Sequence, residues 1–451
     1  MNKKLFSAFA FLLIACATSV FAQQSRVFTA DDYARAEKML GYNTGPLVDR
    51  GAVRPTFLPD GRFWYRAMTP TGSEFVMINP ADGSRTVAES LQKLGVQIPP
   101  PGTIARNPNA VTSPDGKLSA FIKDWNLWMI DTTTGKETQL TTDGVKDFGY
   151  ATDNAGWTHS DRAILIWSPD SKKIATFQQD QRNVSEMYLV STNVGAPTLQ
   201  AWKYPLPQDK EIIKIQRVVI EVNPAKVIRL QMAPDQHRST QCDDVSCAGG
   251  WDDVEWSKDG KNLVFVSTSR DHKKENLRVA DAATGVVREV YEETSPTQFE
   301  SGQGAVNWHY LSGTNEFIWF TERDGWGHLY LYDFATGKLK NQITSGEFAV
   351  WQVESVDEEK RVIYFTAGGR EKGRDPYFGH FYRVNFDGKG LQLLTPEDAN
   401  HQITLSPDEN YFIDNYSKPD VPTVSVLRDM TGKLVANLEK TDISRLTATG
   451  W

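Results

Sequence analysis

One unit recurs along this 451-residue chain, and a recurring unit restricts the fold more than any other feature a sequence carries. It reads as an apolar strand start, a turn of Ser-Pro-Asp-Gly type, a second apolar strand, a third strand ending in Asp, then Thr-Gly-Lys and a fourth strand. Val111-Thr112-Ser113-Pro114-Asp115-Gly116-Lys117 opens one copy, which closes through Leu127-Trp128-Met129-Ile130-Asp131 and Thr134-Gly135-Lys136. Ile166-Trp167-Ser168-Pro169-Asp170-Ser171-Lys172 opens the next, and Glu255-Trp256-Ser257-Lys258-Asp259-Gly260-Lys261 another, with Ala280-Asp281 and Thr284-Gly285 behind it. Leu329-Tyr330-Leu331-Tyr332-Asp333 with Thr336-Gly337-Lys338 repeats the latter half. Leu405-Ser406-Pro407-Asp408 with Thr431-Gly432-Lys433 forms the last copy.

The turn chemistry explains the pattern. Proline sets φ, aspartate bonds back to the backbone, and glycine takes the φ > 0 position, so each tetrapeptide joins two antiparallel strands. Asp-x-x-Thr-Gly-Lys makes the outer hairpin in the same way. Between the turns lie apolar strands such as Leu263-Val264-Phe265-Val266 and Ile363-Tyr364-Phe365-Thr366. A four-stranded sheet cannot bury both faces alone, so the copies must stack around an axis. The expected fold is therefore an all-β propeller of eight blades, near 54–88, 109–142, 164–202, 213–235, 253–291, 305–345, 350–395 and 401–440. The unit at 213–235 lacks the turn motif, and seven blades is the competing count. A doubly wound α/β fold is excluded, because helix-length amphipathic segments are missing. One short helix is expected near the start, with Thr29 as N-cap, Asp31 and Asp32 at the positive end of its dipole, and Tyr33 to Leu40 continuing it.

Ahead of that helix, Lys3 and Lys4 precede an apolar stretch from Leu5 to Val20, and Val20-Phe21-Ala22 ends in small residues at the positions a signal peptidase reads. Residues 1–22 are expected to be a signal peptide cleaved after Ala22, which makes the protein exported, periplasmic or extracellular. The stretch is short for a membrane span, and no other run in the chain could supply one. Leu13-Ile14-Ala15-Cys16 resembles a bacterial lipobox, which leaves anchoring through Cys16 as the alternative. Export gives meaning to the other two cysteines, Cys242 and Cys247. Five positions apart among polar turn formers, they suit a small loop disulfide better than a metal pair, since no second Cys pair follows and no His lies nearer than His237. The net charge of -8 is spread without a basic block, which argues against nucleic acid. No metal or cofactor motif is present.

Three stretches carry a resemblance to a known family: Phe28-Thr29-Ala30-Asp31-Asp32-Tyr33-Ala34-Arg35-Ala36, Trp167-Ser168-Pro169-Asp170-Ser171-Lys172-Lys173-Ile174-Ala175, and above all Arg323-Asp324-Gly325-Trp326-Gly327-His328-Leu329-Tyr330 followed by Thr344-Ser345-Gly346-Glu347. Together they resemble the N-terminal propeller of dipeptidyl peptidase IV-type serine peptidases of the prolyl oligopeptidase family, from about residue 28 to the end. The resemblance implies a propeller that precedes an α/β-hydrolase domain with a Ser-Asp-His triad, limits access to the cavity between them, helps hold the peptide's amino end, and belongs to a protein that is often a homodimer. A Gly-x-Ser-x-Gly nucleophile elbow is absent from these residues. The expected layout is thus a signal peptide at 1–22, helix and linker at 23–53, propeller at 54–440, and at 441–451 the start of a linker toward a hydrolase domain missing from this span. No catalytic residue is assigned.

In dipeptidyl aminopeptidases a pair of Glu side chains grips the substrate ammonium, as two carboxylates can with charge-assisted bonds. The corresponding insertion here is Gly149-Tyr150-Ala151-Thr152-Asp153-Asn154-Ala155-Gly156-Trp157, with Asp153 and Asn154 and no Glu pair. Asp153, Asn154 and Trp157 are the candidate substrate-binding residues; a plain turn, with Trp157 packing between blades, is the competing reading. The departure detaches this chain from dipeptide release as such. Three functions remain: the access and positioning domain of a secreted serine peptidase, a free-standing periplasmic propeller that binds a protein or peptide partner, and a propeller carbohydrate-active enzyme. The last would need carboxylates facing one another across a channel, and no motif suggests them.

Overall fold

The computed structural model describes residues 27–96, 107–152, 161–192, 194–236, 251, 253–299 and 308–451. Among them, strands assemble into seven antiparallel sheets that each contain a four-strand path. Sheet 1 runs Thr56–Phe57, Phe63–Thr69, Gly72–Asn79, Ser84–Ala88, and sheet 2 runs Val111–Thr112, Leu118–Lys123, Asn126–Asp131, Glu137–Gln139. Sheet 3 follows Ile166–Trp167, Lys173–Asp180, Lys214–Val222, Ala225–Arg229, with Phe148–Tyr150 and Asp235–Gln236 paired onto its second and third strands. Sheet 4 is Val254–Trp256, Asn262–Thr268, Lys274–Asp281, Val287–Thr294, and sheet 5 is His309–Leu311, Glu316–Thr321, His328–Asp333, Leu339–Gln342. Sheets 6 and 7 are Ala349–Asp357, Val362–Gly368, His380–Asn385, Gln392–Leu393 and Asn400–Leu405, Tyr411–Lys418, Val421–Asp429, Leu434–Lys440. The protein is an all-β propeller.

The turns form as their sequence dictates, with one addition. Ser113 Oγ donates to Asp115 Oδ1 at 2.7 Å and accepts from Leu118 N at 3.0 Å, so serine ties the carboxylate to the opening of the second strand. Ser168, Ser257 and Ser406 repeat this on Asp170, Asp259 and Asp408. The outer hairpins are built on Asp131, Asp281 and Asp333, each accepting from the Thr amide three residues on at 2.7–2.8 Å. The glycine that follows has a second duty. A Cβ on Gly285 would lie 2.4 Å from Arg229 O, and one on Gly337 would lie 2.3 Å from Val290 O. Each of these glycines therefore abuts the outer strand of the preceding sheet.

The same contact closes the ring. Gly83 of sheet 1 stands against Val435 O of sheet 7, at 3.2 Å from where its Cβ would be. Val53, Phe63, Tyr65, Val76 and Ile78 share a buried cluster with Ile413, Leu427 and Leu438. Each sheet is made from one contiguous stretch of chain, so no strand is exchanged at this seam. One backbone bridge, Asp49 with Asp442, and several side chains join it: Glu439 takes Arg50 at 3.0 Å, Arg85 at 2.6 Å and Tyr65 Oη at 2.8 Å.

Two expectations change. The units placed at 164–202 and 213–235 are one sheet, because Lys214–Val222 pairs along its length with Lys173–Asp180. Segment 213–235 lacks the Ser-Pro-Asp-Gly turn for a simple reason: its strands are the third and fourth of a sheet, and that turn joins the first and second. The residues between them detour through a separate two-stranded hairpin, Glu186–Ser191 with Thr198–Lys203. The N-terminal helix forms over Ala30–Glu37, three residues short of the expected Leu40, with Thr29 and Asp32 in a reciprocal capping box. Residues 1–22 lie outside the described residues, and no described helix is long and apolar enough to cross a membrane.

Candidate functional site

Antiparallel order sorts the connections onto two faces. The Ser-Pro-Asp-Gly and Thr-Gly turns share one, the turn face. On the other, the loop face, first strands begin, second strands connect to third, and fourth strands end. The turn face is uniform; the loop face holds the long and irregular connections, where binding chemistry can vary on a fixed scaffold. Both ends of the propeller chain also lie there, joined by the Asp49–Asp442 bridge and an Arg445–Asp49 ion pair at 3.5 Å.

At the loop face between sheets 2 and 3, Asp124 and Trp125 connect Leu118–Lys123 to Asn126–Asp131 with φ of 52° and 60°. Asn126 anchors the corner: its Oδ1 accepts from Gly144 N at 2.9 Å, and its Nδ2 donates to Asp124 O at 3.0 Å and Gly144 O at 3.1 Å. The following chain folds onto this turn. Tyr150 N donates to Trp125 O at 2.9 Å, and a Cβ on Gly149 would lie 3.3 Å from Trp125 Cβ. Asp143 accepts from Tyr150 Oη and Arg229 Nη2, both at 2.7 Å; burial first, and Asp143 next, push the Tyr150 hydroxyl pKa up. This frame delivers the chain to buried Thr152. Asp153, Asn154 and Trp157 lie outside the described residues, as do Cys242 and Cys247, so their expected roles rest on sequence alone.

Further polar clusters brace two later seams. Arg217, 2% exposed, donates to Asp235 at 2.7 Å and Val266 O at 3.0 Å while lying over the rings of Phe265 and Trp251. Glu293 accepts from Trp319 Nε1, Thr321 Oγ1 and Arg323 Nη2 within 2.8 Å, beside a hollow of about 470 Å³. The Arg323-to-Tyr330 stretch is thereby explained as bracing. Arg323 stacks over Tyr330, Asp324 accepts from Trp326 N and Tyr330 Oη, and Gly327 makes room for the Phe320 ring. His328 and Thr344 stand 3.1 Å apart as a base and nucleophile would, but both are buried and Thr344 Oγ1 already accepts from Leu329 N.

Sequence reasoning missed the group that the fold assembles on sheet 7 and the segment leading into it. Ligand-type atoms of Glu397, His401 and Asp414 lie within 4.8 Å of one another, the spacing a metal ion accepts. Each nitrogen of His401 nevertheless faces an acceptor, Asp414 Oδ1 at 2.8 Å and Glu397 O at 3.1 Å. Arg428 supplies the cation, reaching Glu397 at 2.6 Å and Asp414 at 3.4 Å. The chemistry is that of a buried ion network. His380 packs beside it, 5.1 Å ring to ring from His401, and burial, then the His401 neighbour, push its pKa down to about 4. No local motif announces this group, because Asp414 and Arg428 reach Glu397 and His401 only from the next two strands.

Comparison with known proteins places these features. The family model described as the dipeptidyl peptidase IV (DPP IV) N-terminal region matches residues 86–423. A protein named probable dipeptidyl peptidase 4 from Emericella nidulans is 23% identical over 330 residues, covering 69% of this chain and 40% of the relative. One named probable dipeptidyl-aminopeptidase B from Aspergillus oryzae is 23% identical over 366 residues, covering 74% and 38%. The crystal structure of Porphyromonas gingivalis dipeptidyl peptidase 4 superposes with a TM-score of 0.65 at 17% identity, covering 89% of this chain and 60% of that one. The chain thus spans about 40% of the length of the curated relatives it matches.

Proposed function

This chain belongs to the dipeptidyl peptidase IV N-terminal region family, and from that membership we propose that it works as the propeller of an exported serine-type peptidase. In this role it limits access to the active site and helps position peptide substrates on its loop face, while an α/β-hydrolase unit outside this span performs the cleavage. The family match over residues 86–423 carries the reading. The topology supports it, since the last strand of sheet 7 ends on the loop face, where a following domain would cover Trp125 and the Thr152 end of the substrate-binding segment. Asp153, Asn154 and Trp157 are the proposed contacts there, and Cys242–Cys247 the proposed loop disulfide.

Expression of the 451-residue chain alone, and of the same chain with its reading frame continued downstream, tests the division of labour. The chain alone should cleave no peptide; the extended product should cleave amino-terminal peptide bonds and be silenced by a serine-directed inhibitor. Inhibitor-sensitive cleavage by the chain alone would overturn the proposal, and peptide binding without any cleavage by either product would favour a free-standing binding propeller. The export reading is tested by the mature N-terminal mass, which should begin at Gln23. Self-association is proposed through the hairpin Glu186–Lys203, whose Tyr188, Val190 and Leu199 are 56–64% exposed on a two-stranded unit that is marginal alone.

A further inference from the structure

Ten non-glycine residues among those described have positive φ, and most are turn residues such as Asp147, Asn315 and Glu409. Trp125 is the bulkiest of them and follows another, Asp124, directly. A two-residue hairpin turn with both central φ positive prefers Asn or Asp first and glycine second. Asp124 fits its position; an indole at the next one does not, because a Cβ in the left-handed region presses on the following carbonyl. Strain of this kind persists where the surroundings over-determine it and clusters at binding sites. Here the over-determination is visible in the Asn126 hydrogen bonds and the close passage of Gly144 and Gly149. Asp147 and Ala151, with φ of 62° and 55°, continue the unusual backbone toward Thr152.

The strain is not repaid by packing. Trp125 is 42% exposed and belongs to no buried cluster among the described residues, although one edge of its side chain rests along Gly149. We propose that Trp125 is a substrate-contacting residue: a rigid aromatic platform on the loop face that stacks against an apolar side chain of an extended peptide. This deepens the peptide-positioning reading above and rests on it. Rigid aromatic rings give large contact area at small entropic cost, which suits an anchor held still by its own backbone.

The test separates binding from folding. The 451-residue chain is titrated with the free-amine pentapeptide Ala-Ala-Leu-Ala-Ala, followed by the indole N–H NMR signals and by calorimetry. The Trp125 signal, identified by its loss in Trp125→Gly, should shift on binding. Trp125→Gly should weaken the peptide tenfold or more, yet raise the melting temperature by about 1 °C because glycine relieves the turn. Trp125→Phe should keep most of the affinity. Unchanged affinity in Trp125→Gly would overturn the inference and leave the peptide reading standing, whereas no binding by the native chain would overturn both. Lost affinity with a lowered melting temperature would mark Trp125 as a packing residue and equally overturn it.

Discussion

His380 sits in the third strand of sheet 6, 2% exposed, with a pKa pushed down to about 4, by burial first and the His401 neighbour second. The unfolded chain takes up a proton on this imidazole at its ordinary value of 6.5, whereas the folded chain resists until about 4. Between those values the unfolded state binds more protons, so stability is intact above pH 6.5 and falls as the pH drops through the window. The contribution is roughly 3 kcal/mol. His380→Phe should flatten that part of the curve, read as urea midpoints at pH 7 and pH 4.5; equal slopes in both proteins would show that another group carries the acid sensitivity. A second residue-scale expectation concerns Arg217. Replacing Asp235 by Ala leaves its guanidinium buried without its carboxylate and should cost about 3–5 kcal/mol in chemical denaturation. Neither residue was legible in the sequence, since His380 and Arg217 acquire their meaning from partners contributed by other strands.

Turn chemistry is local, and so the strand-turn elements were readable: Ser113, Asp115 and Gly116 act within one tetrapeptide, and Asp281 reaches only to Thr284. What escaped was the role of the Thr-Gly glycines between sheets, because Gly285 meets Arg229 only when two sheets are stacked. This separates two demands on glycine that the repeat superimposes. Gly116→Ala bears only the cost of φ at 73°, with open space around the new methyl, and should lose about 1 kcal/mol. Gly285→Ala meets the same backbone penalty at φ 75° and in addition drives a methyl to 2.4 Å from a carbonyl oxygen. It should lose at least about twice as much. Equal losses in thermal or urea unfolding would refute the inter-sheet role. The sheet 3 insertion was misread for a related reason. Its hairpin interrupts the spacing of the repeat, while the pairing of Phe177 with Arg217 and Ala175 with Val219 that unites the sheet spans some forty residues.

Over the whole molecule, buried clusters couple sheet 2 to 3 and each later sheet to its successor, and a further one couples 7 to 1. At the last seam the polar bonds converge on Glu439, whose side chain is 4% exposed against Arg50 and Arg85. Glu439→Gln should destabilise the ring by about 1–3 kcal/mol. It should also raise hydrogen exchange first in sheets 1 and 7; a loss spread evenly over all sheets would argue that the seam has no special weakness.

The exchange-free seam has a consequence for how the molecule could be rewired. Gly83 meets Val435 as Gly285 meets Arg229, so the junction is held by packing, side-chain bonds and the Asp49–Asp442 bridge without a shared strand. The arrangement is in effect a linear strip bent until its ends touch, and the location of the cut is arbitrary. A circularly permuted protein, with residues 49 and 442 joined by a short linker and new termini opened in a turn-face loop such as Ser312-Gly313-Thr314, should therefore assemble the same wheel.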